Sequence, residues 1–190
     1  VLLYMWIFER CALAVQALHQ RCIAHFDIKC DNILLEQKGG DQDHFTVAIA
    51  DFGESKTFAG LGPESTFRSH GTAYIMSPEM LTVAMASHKE AGHYDRRRKQ
   101  GAGRASDVWS LGCLFFELLT GEMLFFDPNW TAFFCHITDP KTELINETAQ
   151  SKMGHDPDLI SFLRFILVRD ADRRPTIEDV LIRCRRTQEA

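Results

Sequence analysis

His25-Phe26-Asp27-Ile28-Lys29-Cys30-Asp31-Asn32-Ile33-Leu34-Leu35 sets an acid, a cation and an amide directly ahead of a short apolar run. Polar residues of these types are common in solvated turns, so the cluster takes its meaning from what flanks it. On its C-terminal side, 32–35 and 45–50 read as two short strands joined by the polar, glycine-containing stretch 36–44, which predicts a β-hairpin. The second strand runs into Asp51-Phe52-Gly53, so the hairpin returns a second acid to the end from which Asn32 departs. On its N-terminal side, Tyr4, Phe8, Cys11, Val15 and Leu18 recur at spacings of four and three, predicting a helix from Tyr4 to His19 laid on a core.

Further along, 54–76 is rich in Ser, Thr and Gly without a sustained period and reads as a long functional loop. Ser77-Pro78-Glu79 begins a short helical turn, and the polar, basic segment 87–105 reads as a mobile insertion. Inside it, Gly101-Ala102-Gly103-Arg104 is a linker and not a dinucleotide fingerprint, because no strand precedes it and the final glycine is missing. From Asp107 to Thr120 the chain is apolar nearly all round, predicting a helix buried on several sides and closed by Gly121. The aromatic residues between Phe125 and Phe134 are assigned to the core. Two more helices are expected, Asp158 to Leu167 and Thr176 to about Arg185, the second opened by Thr176 and Asp179 as a variant capping box. The fold class is α+β, mainly α, in one domain over 1–190.

With 190 residues, 45% of them hydrophobic, the chain can bury a substantial single core. A net charge of -5 gives no general electrostatic reason to bind nucleic acid or an anionic membrane. The basic residues nevertheless cluster, in Arg96-Arg97-Arg98-Lys99 and from Arg183 to Arg186. Cys11, Cys22, Cys30, Cys113, Cys135 and Cys184 lack the close pairs of metal sites or disulfide scaffolds and read as reduced thiols of a cytoplasmic or nuclear protein. The apolar opening Val1–Phe8 stops at Glu9-Arg10, too short for a membrane span and without the basic leader of a secretion signal. The sequons at Asn129 and Asn146 are therefore expected to be unglycosylated. Because it opens on a core helix with no lead-in, the chain is expected to be a fragment.

Taken together, His25-Phe26-Asp27-Ile28-Lys29-Cys30-Asp31-Asn32, Asp51-Phe52-Gly53, Gly71-Thr72 ahead of Ser77-Pro78-Glu79, Asp107-Val108-Trp109-Ser110-Leu111-Gly112 and Arg174-Pro175 resemble, in order, the C-terminal lobe of the eukaryotic protein kinases. The resemblance covers essentially the whole chain. It implies a lobe whose small β-hairpin bears the catalytic loop and a metal-binding Asp, and a serine/threonine-directed transfer of the ATP γ-phosphate to a protein hydroxyl. Asp27 would accept or orient the hydroxyl proton, and Lys29 would sit on the transferring phosphate. Asn32 and Asp51 would hold Mg2+, with Mn2+ as a substitute. Thr72 would bond toward the acid and the lysine, Glu79 would pair with Arg174, Asp107 would accept from the catalytic-loop backbone, and His25 would pack and hydrogen-bond. The implied partners are ATP and a protein substrate, and the basic stretch 96–104 could dock an acidic partner.

The chain also departs from that pattern. Phe26 stands where most members have the Arg that grips an activation-loop phosphate, so phosphorylation of the candidate sites Thr57, Ser65, Thr66 or Ser69 is not expected to act through that contact. Cys30 takes a place often held by proline, and Ile75 takes a common Tyr position with Tyr74 before it. No glycine-rich phosphate loop and no strand lysine precede Tyr4, so the N-terminal lobe is absent from these residues and the fragment alone is expected to be inactive. The competing expectation is a truncated, pseudokinase-like scaffold that works by binding proteins.

Overall fold

The computed structural model describes residues 2–37, 45–60, 65–88 and 101–189. The first helix, α1 (Leu2–Gln20), contains no Gly or Pro, and it buries Met5, Phe8, Cys11, Ala12, Val15 and His19. That stripe has the expected spacing but passes through Met5 and His19, leaving Tyr4 exposed and Leu18 half-buried. The shift follows from packing: Phe8 meets Phe115 and Phe162 edge-on at 5.1 and 5.5 Å, which points the Phe8–Cys11–Val15 line into the core. A five-residue stripe read from sequence cannot distinguish which flanking residue shares that line.

Two small antiparallel sheets follow. In one, β1 (Ile23–Ala24) pairs with β4 (Lys56–Thr57), which lies within the stretch expected to be a long loop. In the other, β2 (Ile33–Gln37) pairs with β3 (Phe45–Ile49) in the register Ile33↔Ile49, and the Ala50 N–H donates to the Asn32 carbonyl at 2.8 Å. The expected hairpin is present in its strands; its connection, 38–44, lies outside the described residues.

The helix that begins at the Ser-Pro-Glu sequence is longer than one turn: α2 runs from Pro78 to His88. Proline at its first position lacks only a donor that would have been unsatisfied there. Of the segment expected to be an insertion, 89–100 with the basic run lies outside the described residues, while the remainder is built into the fold. Ala102 is fully buried and exchanges both backbone hydrogen bonds with Thr66, and α3 (Arg104–Thr120) starts before Asp107. Gly121 ends α3 at φ 73°, a left-handed cap whose N–H reaches the Glu117 carbonyl.

Buried residues run without a break from Ser106 to Phe116, and α1 and a later helix, α6 (Pro157–Ile166), both pack on α3. Phe115 meets Phe162 of α6, and Trp109 stacks on Phe125 at 5.6 Å. The aromatic region splits: Phe125 and Phe133 are core, as expected, but Phe126 and Trp130 are 63% and 43% exposed. Two helices unassigned in the sequence, α4 (Trp130–Thr138) and α5 (Glu147–Lys152), are capped by Asn129 and Asn146. Both sequon asparagines thus use their side-chain oxygens on helix N–H groups. Thr176 and Asp179 form the expected reciprocal cap on α7 (Ile177–Glu189). The described residues are mostly helical with small antiparallel sheets, and the six cysteines are free thiols. No described helix is long and apolar enough to cross a membrane.

Candidate active site

The stretch between β1 and β2 is held from beneath by α3. Asp107, fully buried in the first turn of that helix, accepts from the backbone N–H groups of His25 at 2.8 Å and Phe26 at 2.7 Å. It also meets His19 Nε2 at 2.9 Å. His19 enters the sequence analysis only as the end of the first helix; the signal for its role is a polar ring one residue beyond the expected core stripe. These contacts stabilise a turn in which Phe26 adopts φ 65°, left-handed space that a bulky residue rarely enters without such support.

His25 behaves as a neutral packing residue. Its Nε2 lies 3.1 Å from the Ala50 carbonyl and its Nδ1 accepts from the Asp27 N–H, a pairing that fits the Nε2-protonated tautomer. Its ring meets Phe52 edge-on at 4.9 Å, tying the loop to the residue after Asp51.

Asp27 is the convergence point. One carboxylate oxygen, Oδ1, accepts from the Thr72 N–H at 3.0 Å and the Thr72 hydroxyl at 2.7 Å. The other, Oδ2, accepts from Asn32 Nδ2 at 3.0 Å and lies 3.0 Å from Lys29 Nζ. Lys29 in turn donates to Thr72 Oγ1 at 2.7 Å. Burial alone would raise the Asp27 pKa, but the bonds from Thr72 and Lys29, the lysine charge and Asn32 together outweigh it and hold Asp27 below its ordinary value. Asp27 is therefore an ionised acceptor aimed by three neighbours.

Asn32 and Asp51 are adjacent through the backbone bond at the root of the hairpin. The Asn32 amide nitrogen is committed to Asp27, through its carbonyl at 2.8 Å and its carboxylate, which leaves the amide oxygen as the acceptor. Asp51 sits at φ 60° and is exposed, with one oxygen taking the Gly53 N–H and the other without a hydrogen bond among the described residues. An amide oxygen beside a carboxylate suits a hard cation that retains phosphate and water as further ligands. No group of three or more His, Cys, Asp or Glu able to hold a metal occurs among the described residues.

The supporting pair is also assembled. Glu79 and Arg174 form a two-pronged ion pair at 2.8 and 2.9 Å with side chains 3% and 0% exposed. Cys30, in the place often held by proline, is half-buried; burial first, and then the Glu117 charge and hydrogen bond, push its thiol up to about 12. That favours the protonated thiol near neutral pH.

Phe26 is 4% exposed, stacks on His70 at 5.2 Å with 12° between the rings, and meets Phe58 at 6.4 Å. His70 is held at Nδ1 by Glu54 at 3.2 Å. Phe26, His70 and Phe58 thus form an aromatic cluster in which the Phe26 side chain is buried. Of the candidate phosphosites, Thr57 and Ser69 are exposed and Ser65 half-buried. Thr66, by contrast, is 1% exposed, its backbone is bridged to Ala102, and its Oγ1 accepts from the Arg68 N–H.

Residues 5–183 match the family model described as the protein kinase domain. A probable serine/threonine-protein kinase of Dictyostelium discoideum is 44% identical over 92% of this chain, which covers 8% of that protein. Mitogen-activated protein kinase kinase kinase A of the same organism is 33% identical over 86% of the chain and 14% of its own length. Serine/threonine-protein kinase mph1 of Schizosaccharomyces pombe is 31% identical over 92% of the chain and 26% of its own length. The chain therefore spans a small part of each of these relatives.

Proposed function

Because the chain belongs to the protein kinase domain family, we propose that it is the C-terminal, catalytic lobe of a serine/threonine kinase that transfers the ATP γ-phosphate to a protein hydroxyl. The observation that carries this reading is the convergence of Thr72, Lys29 and Asn32 on the Asp27 carboxylate, with Asp51 delivered beside Asn32 by the hairpin.

Phosphoryl transfer asks the protein mainly for positioning and for charge neutralisation. Asp27, kept ionised and oriented, would accept the proton of the substrate hydroxyl. Lys29 places its ammonium beside that carboxylate, where it would neutralise the moving phosphoryl group. Thr72 links the two by accepting from Lys29 and donating to Asp27, and so acts as a positioning residue. Asn32 and Asp51 would hold Mg2+, or Mn2+, which when bound with ATP neutralises charge on the phosphates.

The glycine-rich loop and strand lysine of the family do not occur within these 190 residues. The chain alone is therefore expected to bind Mg2+ and ATP weakly and to transfer phosphate negligibly, which keeps a protein-binding scaffold as the second reading. Either role is proposed for the cytoplasm or nucleus. The test is peptide phosphorylation by the full-length protein: Asp27→Asn and Asp51→Asn should each lower turnover at least about a hundredfold while the melting temperature stays near wild type. Turnover retained by either variant overturns the role assignments, and a full-length protein without transfer activity favours the scaffold.

A further inference from the structure

The basic run near the C-terminus plays no part in the proposed transfer site, yet it borders a groove. Between the end of α6 and α7 lies a concavity of ≈ 460 Å³. Its floor is apolar, from Phe165, Val168 and Ile182, the last 51% exposed. Around it stand Arg173, Arg183 and Arg186, all exposed.

Among the described residues these guanidinium groups form no ion pair. Asp179 is the acid in the lining, but its Oδ2 already takes the Thr176 N–H at 3.0 Å and hydroxyl at 2.7 Å. Arg183 reaches only the Ser161 hydroxyl, at 3.2 Å, and neither Arg173 nor Arg186 forms an ion pair among the described residues. Arg185, by contrast, turns to the other side of α7 and pairs with Glu9 at 2.9 Å. The alternation is helical: residues 183 and 186 share a face from which 185 is excluded. In a chain of net charge -5, this places a local positive field around an apolar hollow.

A carboxylate ring around an apolar anchor is the complement of that surface. Arginine forks bind carboxylates in two-pronged fashion, and the hollow would take a Leu or Phe side chain out of water. The net negative charge opposes the long polyanion of a nucleic acid and an anionic membrane, and a concave apolar floor serves neither. We propose that the groove between α6 and α7 docks an acidic segment of a partner protein, with one apolar side chain seated on Phe165, Val168 and Ile182 and flanking carboxylates on Arg173, Arg183 and Arg186. This inference is independent of whether the chain transfers phosphate.

The test is fluorescence anisotropy of the labelled peptide Glu-Glu-Leu-Phe-Glu-Glu with the full-length protein. Saturable binding is expected, weakening as salt is raised. The Arg173→Ala, Arg186→Ala pair should lose about tenfold or more in affinity, and Ile182→Ala a smaller but measurable amount. All three positions are exposed, so folding should be unaffected, as melting curves would verify. Arg185→Ala is the control expected to bind as wild type. Absence of saturable binding overturns the proposal, as does binding unchanged in the arginine pair. So does equal binding of Glu-Glu-Ala-Ala-Glu-Glu, a DNA duplex or phosphatidylserine vesicles with the same dependence on Arg173 and Arg186, which would make the face a general anion surface.

Discussion

Replacing Glu79 by Gln tests the connection between α2 and the segment ahead of α7. The substitution keeps the side-chain shape and removes one charge. In the native fold both prongs of the Arg174 guanidinium are on Glu79, whose Oε1 also takes the Ser106 hydroxyl at 2.9 Å. Arg174 cannot swing out to solvent to compensate. It donates further to the carbonyls of Val168 at 2.8 Å, Ala105 at 2.8 Å and Arg169 at 3.1 Å, and it lies over the Trp109 ring. Glu79→Gln therefore strands a cation at 0% exposure, a loss of about 3–5 kcal/mol.

That loss is a large fraction of the 5–15 kcal/mol of stability typical of a folded domain, so roughly the variant survives with a narrow margin. With a urea slope of about 2 kcal/mol per molar, the unfolding midpoint should fall by about 1.5–2.5 M. The pH dependence gives an independent check. Burial acts to raise the Glu79 pKa, but the Arg174 hydrogen bonds and charge override it and hold the carboxyl below its ordinary 4.5. A depressed folded pKa means that the pair's contribution is complete above about pH 4.5 and is lost as pH falls through the lower native value. Wild-type and Glu79→Gln stabilities should then converge in acid. A midpoint change worth less than about 1 kcal/mol at neutral pH, or a gap that persists in acid, refutes the reasoning.

Two other substitutions probe the loop from different sides. Gly71 has φ 85°, and a Cβ there would lie 2.0 Å from the Phe26 carbonyl oxygen, so Gly71→Ala should cost more than about 1–2 kcal/mol in urea melts and lower the rate by moving Thr72 off Asp27; a variant as stable and active as wild type contradicts the geometry. Removing phosphate from Thr57 or Ser69 with a phosphatase should leave the full-length protein's activity unchanged, because the Phe26 side chain, unlike an arginine, offers phosphate no cation. Activity that depends on loop phosphate and is indifferent to Phe26→Arg would show that another residue controls the loop.

Much of the architecture is local and was legible. The helix periods, the left-handed Gly121 cap, the reciprocal Thr176–Asp179 cap and the β2–β3 strands each follow from interactions among near neighbours in sequence. Short elements were not legible. β1 and β4 are two residues each, too short for an alternating pattern, and exist because the chain around Cys22 and Phe58 is brought together, the Phe58 N–H donating to the Cys22 carbonyl at 2.8 Å. The beginning of α3 was read three residues late because Arg104, Ala105 and Ser106 carry no apolar signal until Ala105 and Ser106 are packed.

The sequence by itself determined the family, since the order and spacing of its motifs carry the resemblance and residues 5–183 match the protein kinase domain. It also determined the helical character of the half that follows Asp107. Only the tertiary structure decided how the candidate-site residues act on one another. Thr72 reaches Asp27 across 45 positions, Asp107 reaches the His25 N–H across 82, and Arg174 reaches Glu79 across 95. It likewise decided that Phe26 closes on His70, that Thr66 is sealed, and that Arg183 and Arg186 face a groove while Arg185 does not. Periodicity and capping act over a turn or two of chain, whereas these contacts arise once loop closure is compensated by burial of a common core, and their geometry is fixed there.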